Sequence, residues 1–253
     1  MAAGRRARFP PGTADLTAPR SPLQGVSLYL IASLPGTKLD ERALSSLAAA
    51  ARGGVGAIQL RMKDADTDQR RRALQRARAA IPASVLLLIN DDLDAVFDAR
   101  GRPLADGVHL GRDDAEGLAP AELSPDADRR TLRRAGLRVA RERLGPERAL
   151  GTSTREAWEV ELALEAGADH MGFGAIAPST SKAHTKPASL DTLQRLLAQH
   201  TDVPLFPIGG LTPPRLEQLA ELGARRAALG ATVLESSDPE RAARRCLSAL
   251  GAT

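Results

Sequence analysis

From Ser27 onward, short apolar runs alternate with longer segments in which apolar residues recur every three or four positions. The runs are SLYLIAS (27–33), AIQLR (57–61), SVLLLIN (84–90), GVHLG (107–111), RALGTS (148–153), HMGFGAI (170–176), PLFPIGG (204–210) and RAALGAT (226–232). Most are rich in Val, Ile and Leu at consecutive positions, the mark of parallel strands covered on both faces. The intervening segments, such as DERALSSLAAAAR, REAWEVELALEAG, PPRLEQLAELG and DPERAARRCLSAL, read as amphipathic helices. In the second, Trp158, Leu162 and Ala166 share one face. Glycines close several helices just before a strand, in ARGGVGA, EAGADHM and ELGARRA. Eight βα units in about 225 residues predict an α/β fold of one domain, a (β/α)8 TIM barrel, in preference to an open doubly wound sheet. Residues 115–147 break the rhythm: a Pro/Ala-rich loop and then a basic helix form an insert to which the sequence assigns no chemistry.

Composition narrows the picture without redirecting it. The chain is 43% hydrophobic and 26% charged, as soluble globular domains are, and aromatics are scarce at 2%, so Ala, Leu, Val and Ile must fill the core. The net charge of +4 resides mostly in residues 1–25, which hold four arginines (Arg5, Arg6, Arg8, Arg20) against Asp15. The remaining body is nearly neutral, with no basic stripe interleaved with aromatics, so no nucleic-acid partner is expected. Residues 1–25 lack an apolar core and are expected to be a disordered basic tail ahead of a catalytic barrel over 26–253; an organelle transit peptide is the alternative. The longest aliphatic run, Val85–Ile89, is too short to span a bilayer. The lone Cys246 has no intrachain partner and reads as a buried small hydrophobe in a reducing, cytoplasmic setting. An Ala-rich helical exterior permits a homo-oligomer.

Candidate chemistry collects at the strand ends, where barrels of this kind place their sites. The run LLLIN ends in Asn90, Asp91 and Asp92 rather than in a Gly or Pro turn. Gln59, Arg61 and Lys63 share one side by strand alternation, and two cations there suit a phosphate or diphosphate. HLGRDD places Asp113 and Asp114 beside the acids of the preceding strand. Asp91 and Asp114 near a cationic cluster suit Mg²⁺, which takes one or two carboxylates plus substrate oxygens; Asp92 and Asp113 are expected to cap helices. Ser179, Thr180, Ser181 and Lys182 can hold an oxyanion, and GG at 209–210 with GA at 230–231 leaves backbone donors open at the last two strands. Two anion sites facing one mouth suit a reaction that joins or splits two phosphorylated small molecules. His109 reads as a packed barrel residue, and His170 and His184 are no better candidates as ligands.

The stretches AIQLRMK, LLINDDLD, DGVHLGRDD, LGTST, GADHMGFGAI, PSTSK and IGGLTPPRL together resemble the thiamine-phosphate synthase family, over roughly Leu28 to Leu250. The resemblance implies a transferase of thiamine biosynthesis that joins an aminopyrimidine diphosphate to a thiazole phosphate and releases diphosphate. It implies binding of the diphosphate substrate by Gln59, Arg61, Lys63, Asn90, Ser153 and Lys182, with Arg61, Lys63, Asn90 and Lys182 acting on the leaving group. It implies Mg²⁺ at Asp91 and Asp114, and thiazole phosphate binding by Ser179, Thr180, Ser181, Gly210, Gly230 and Ala231. The chain departs from the family in using Ser-Thr-Ser-Lys for the usual Thr-x-Thr-Lys. It also ends strand 8 in Gly-Ala where an aliphatic residue and Ser are common, and it lengthens the loops near 100 and 115–147. Three rivals are a thiazole tautomerase on the same barrel, which tends to lack both acids, a non-catalytic thiazole or thiamine phosphate binder, and an unrelated sugar-phosphate epimerase-like barrel.

Overall fold

The eight apolar runs become eight parallel strands that close in sequence order, with the last pairing back onto the first. The structure, a computed structural model, describes residues 21–124, 126–178 and 187–252. In chain order its elements are β1 (Leu28–Ser33), α1 (Glu41–Arg52), β2 (Ala57–Arg61), α2 (Thr67–Ala80), β3 (Leu86–Asn90), β4 (Gly107–Leu110), α3 (Arg112–Gly117), α4 (Arg129–Leu144), β5 (Ala149–Thr154), α5 (Ala157–Glu165), β6 (His170–Gly174), α6 (Leu190–Gln199), β7 (Leu205–Ile208), α7 (Pro213–Glu221), β8 (Ala227–Leu229), α8 (Ala231–Leu234) and α9 (Pro239–Ala249). A 3-10 turn, Asp94–Val96, follows β3. The predicted (β/α)8 barrel is the observed fold.

Two apolar cores explain why the strands carry hydrophobic residues on both faces. Outward side chains such as Leu30, Ile58, Leu87, Val108, Leu150 and Phe173 pack under the helices. Inward ones, Tyr29, Ala57, Leu88, Ala149, Phe206 and Ala228, form a second, smaller cluster inside the barrel. Leu23 joins this inner cluster and is fully buried, with Val26 beside it. The segment before β1 therefore stoppers the end of the barrel at which the strands begin. The disordered tail expected over 1–25 does not extend through its last residues: Leu23 is buried against Tyr29, Phe206 and the other inward side chains. Residues 1–20 lie outside the described residues.

Local signals set the helix starts. Asp66 and Gln69 form a capping box on α2, and Asp40, Asp128 and Ser189 cap α1, α4 and α6. Pro213 opens α7 after Thr212, as its sequence predicts. The last predicted strand stops at Leu229, because Gly230 turns the chain and Ala231 begins a one-turn helix. The basic helix expected in the insert is α4, and Cys246 is buried as expected. Among the described residues no helix is long and apolar enough to cross a membrane.

Candidate active site

The polar strand ends converge on the barrel mouth, where the strands finish. Gln59, on the inner face of β2, is almost fully buried and donates to the Tyr29 hydroxyl at 2.7 Å. Arg61, two residues on, ends the strand at the rim, and Lys63 follows in an exposed turn. The three form a file from the interior to solvent, so Gln59 belongs to the floor of the mouth and the cations to its wall.

Asn90 is the last residue of β3, buried and in register with His109 of β4. At Asp91 the backbone enters the left-handed region (φ 63°), uncommon for any residue with a Cβ but tolerated best by Asn and Asp. Its amide donates to the His109 carbonyl at 2.9 Å, and its carboxylate accepts from the amide of Gly111 at 2.8 Å. Asp114, in the first turn of α3, brings its carboxylate to the same glycine. A Cβ at Gly111 would overlap Asp114 Oδ2 and stand 3.4 Å from Asp91 Oδ1, so the two acids approach one another over a position that glycine leaves bare. Burial raises the Asp91 pKa above the ordinary carboxylate value. The like charge of Asp114 adds to that rise, while the Gly111 amide and Arg61 oppose it.

The neighbouring acids behave differently. Asp92 accepts from Thr67, from Arg70 at 2.9 Å and from the Ala95 amide at 3.0 Å; the helix cap expected of it is not observed, since Leu93 holds the cap position of the 3-10 turn without a side-chain bond and Asp92 braces the turn from one residue earlier. Burial alone would raise its pKa, but the bonds from Arg70 and Thr67 outweigh it and the value falls below the ordinary one. The cap expected at Asp113 is not observed: Gly111 holds the cap position of α3 without a side-chain bond, and Asp113 is exposed and pairs with Arg129. Its place, two residues inside the helix, is too late for it to serve as the cap.

Two hard carboxylate oxygens drawn together by the fold form a donor set that suits Mg²⁺. Among the described residues no group of three or more His, Cys, Asp or Glu gathers to hold a metal by itself. Asp91 and Asp114 therefore fit a cation shared with substrate oxygens rather than a closed structural site.

Ser153 of β5 places its hydroxyl 3.1 Å from Nε2 of His109, whose Nδ1 lies 3.4 Å from Nε2 of His170. The two imidazoles and the Tyr29 ring form an interior cluster with centroids 5.5 to 6.4 Å apart. Gly151 makes room for it, since a Cβ there would run into both imidazoles. His109 is thus the packed, hydrogen-bonded barrel residue expected from the sequence. Burial holds the His170 pKa well below the ordinary histidine value, with His109 and Arg141 adding to the effect. Tyr29 and the depth of this cluster were not foreseen, because a tyrosine inside an apolar run carries no signal of its own.

Across the mouth, Gly209 and Gly210 both adopt positive φ (102° and 59°), a turn open to glycine and costly for other residues. Gly230 caps the short α8, which Ala231 begins. Thr232 donates to the Leu211 carbonyl at 2.6 Å and ties the β7 and β8 loops together. Ser179, Thr180, Ser181, Lys182 and His184 lie outside the described residues.

The sequence profile of the thiamine monophosphate synthase family matches residues 28–127 and 133–233, a span that includes every strand. The chain belongs to this family. Thiamine-phosphate synthase of Anaeromyxobacter dehalogenans is 37% identical over 205 residues, 81% of each chain. Thiamine-phosphate synthase of Synechocystis sp. is 32% identical over 229 residues, 90% of this chain. This chain spans only 58% of that longer relative. Among solved structures, thiamine phosphate pyrophosphorylase from Pyrococcus furiosus superposes with a TM-score of 0.66 at 23% identity, covering 90% of this chain and 96% of the other, and so shares the fold. The family profile bears out the resemblance carried by the seven sequence stretches.

Proposed function

We propose that the protein is a thiamine-phosphate synthase, a transferase that joins 4-amino-2-methyl-5-(diphosphomethyl)pyrimidine to a thiazole phosphate and releases diphosphate. The observation that carries this reading is the meeting of Asp91 and Asp114 across Gly111, beside Arg61. Asp91 is half-buried and Asp114 exposed at the rim; like charges held this close repel unless a cation joins them, and a diphosphate brings such a cation with it. Family membership and the relatives named above support the same reading.

In the proposed reaction the bond between the pyrimidine methylene and the diphosphate oxygen breaks first, and the thiazole nitrogen then captures the resulting cation. Such chemistry asks the protein for charge neutralisation, orientation and exclusion of water rather than for a strong base. Arg61 and Lys63, on the wall of the mouth, and Lys182 neutralise the departing diphosphate. Asn90 orients it from the end of β3, Ser153 donates to it with its hydroxyl steadied by His109, and Gln59 contacts the pyrimidine from the floor. Asp91 and Asp114 would hold Mg²⁺, which would supply further charge neutralisation to the leaving group. Ser179 to Ser181, Gly210, Gly230 and Ala231 hold the thiazole phosphate on the opposite side. The substrates are small molecules; neither a nucleic acid nor a membrane is part of the reading, and a cytoplasmic location and a homo-oligomer are compatible with it.

The test mixes purified protein with both substrates, in Mg²⁺ or in EDTA, and measures thiamine phosphate for the wild type, Asp91→Asn and Lys182→Ala. Metal-dependent product that both substitutions abolish supports the assignment. A folded protein that binds thiazole phosphate and yields no product overturns it in favour of a tautomerase or a non-catalytic binder.

A further inference from the structure

The insert places a buried cation behind the proposed metal site. Arg133 of α4 is only 4% exposed. Its guanidinium donates to Glu116 of α3 at 2.6 Å and to Glu159 of α5 at 2.6 Å. Glu159, itself 3% exposed, also accepts from the Arg155 and Glu156 amides, where the chain leaves β5 just after Ser153, and it faces Arg112 at 3.6 Å. Arg129, one turn earlier on α4, reaches Glu116 at 2.8 Å and also pairs with Asp113. Between these contacts the α3 and α4 backbones touch: a Cβ on Gly136 would fall inside the Ala115 carbonyl, one residue beyond Asp114. Outside the cluster, the Arg130 guanidinium lies 4.1 Å from the centre of the Trp158 ring on α5.

A six-residue helix has little intrinsic stability, so its orientation must come from what it packs against. The ion pairs from α4 to α3, to Asp113 and Glu116, fall within two residues of Asp114, and Arg133 also reaches Glu159 at the exit of the strand that carries Ser153. We propose that Arg133 is a positioning residue for Asp114. It locks α3 against α4 and α5 and keeps the Asp114 carboxylate turned toward Asp91. The inference rests on the proposed metal role of Asp91 and Asp114.

The experiment titrates Mn²⁺ into the full chain with inorganic diphosphate present, and follows free Mn²⁺ by its paramagnetic resonance signal. Removing Arg133 alone would take the closest cation from the buried Glu159 and from Glu116, so the principal variant is the triple substitution Arg133→Met, Glu116→Gln, Glu159→Gln. Gly136→Ala serves as an independent wedge between α3 and α4, and Arg134→Ala, on an exposed pair with Glu165, as the control. We expect the Mn²⁺ midpoint to rise about tenfold in the triple variant and in Gly136→Ala, the effect typical of losing an outer support for a ligand. Arg133→Lys should fall between them and wild type, and Arg134→Ala should match wild type. A lowered melting temperature with an unchanged midpoint in both test variants would mean that the cluster is merely structural, and would overturn the inference. Asp114→Asn separates the two failures. If it binds Mn²⁺ as wild type does, the metal reading itself falls and takes the inference with it. If it loses Mn²⁺ while the Arg133 and Gly136 variants keep it, only the inference falls.

Discussion

Aspartates occupy both ends of this barrel, and the two sets are treated in opposite ways. Where the strands begin, Asp106 accepts from the Leu87 amide and pairs with Arg78, and Asp169 accepts from the Leu150 amide and pairs with Arg141. Each acid sits just before a strand, β4 or β6, and hooks it to the preceding strand. Where the strands end, Asp91 and Asp114 face one another, and among the described residues neither forms an ion pair with a cation. A carboxylate whose oxygens are already matched is structural. Asp91 and Asp114 are brought together with no cation between them among the described residues, the arrangement that the proposed Mg²⁺ would relieve.

The sharpest way to break this contrast is Asp91→Asn. Asparagine tolerates the left-handed backbone at this position, so the fold should hold or gain slightly as the repulsion disappears. Losing the proposed metal ligand should lower the rate by on the order of a hundredfold or more, read as thiamine phosphate formed at saturating Mg²⁺. Equal activity in the variant would erase the distinction between the two ends. The mirror experiment is Asp169→Asn, expected to cost about 1–3 kcal/mol in a denaturant melt while leaving activity per folded molecule unchanged.

A third test concerns the layer between the ends. The folded His170 stays neutral because burial depresses its pKa, whereas in the unfolded chain it titrates near 6.5. Below about pH 6.5 the unfolded state therefore binds the extra proton, and stability should fall with acidification by up to about 1.4 kcal/mol per pH unit. Melts of His170→Leu across pH 4.5–7.5, on the order of three units, should show that slope reduced by this amount. Leucine also removes Nδ1, which among the described residues has no hydrogen-bond partner. The smallest effect is expected from Thr232→Val: about 1 kcal/mol from the lost bond to the Leu211 carbonyl, read as a modest rise in KM for thiazole phosphate with kcat held.

Much of this was legible in the chain before any coordinates. Strand periodicity, helix-closing glycines and the placement of polar residues after strands are local signals, and they gave the barrel, its order and the acids at 91 and 114. What escaped was set by pairing across distant residues. Leu23 looks like part of a Pro-rich tail until it is seen buried against Tyr29 and Phe206. Arg133 lies in a run of arginines on α4 that reads as solvated, and only the turn of the helix shows which one faces Glu116 and Glu159. Asp113 and Asp114 are adjacent in sequence and both exposed, and helix phase alone turns one to Arg129 and the other to Gly111 and Asp91.

The stopper at Leu23 has a consequence for building with this protein. Because it pins the chain inside the end where the strands begin, a linker or affinity tag joined ahead of Ser21 starts from the face opposite substrate entry. A cargo domain attached there would leave the mouth unobstructed. Deleting back through residue 23, by contrast, would unplug the floor and expose Tyr29, Phe206 and their neighbours to water.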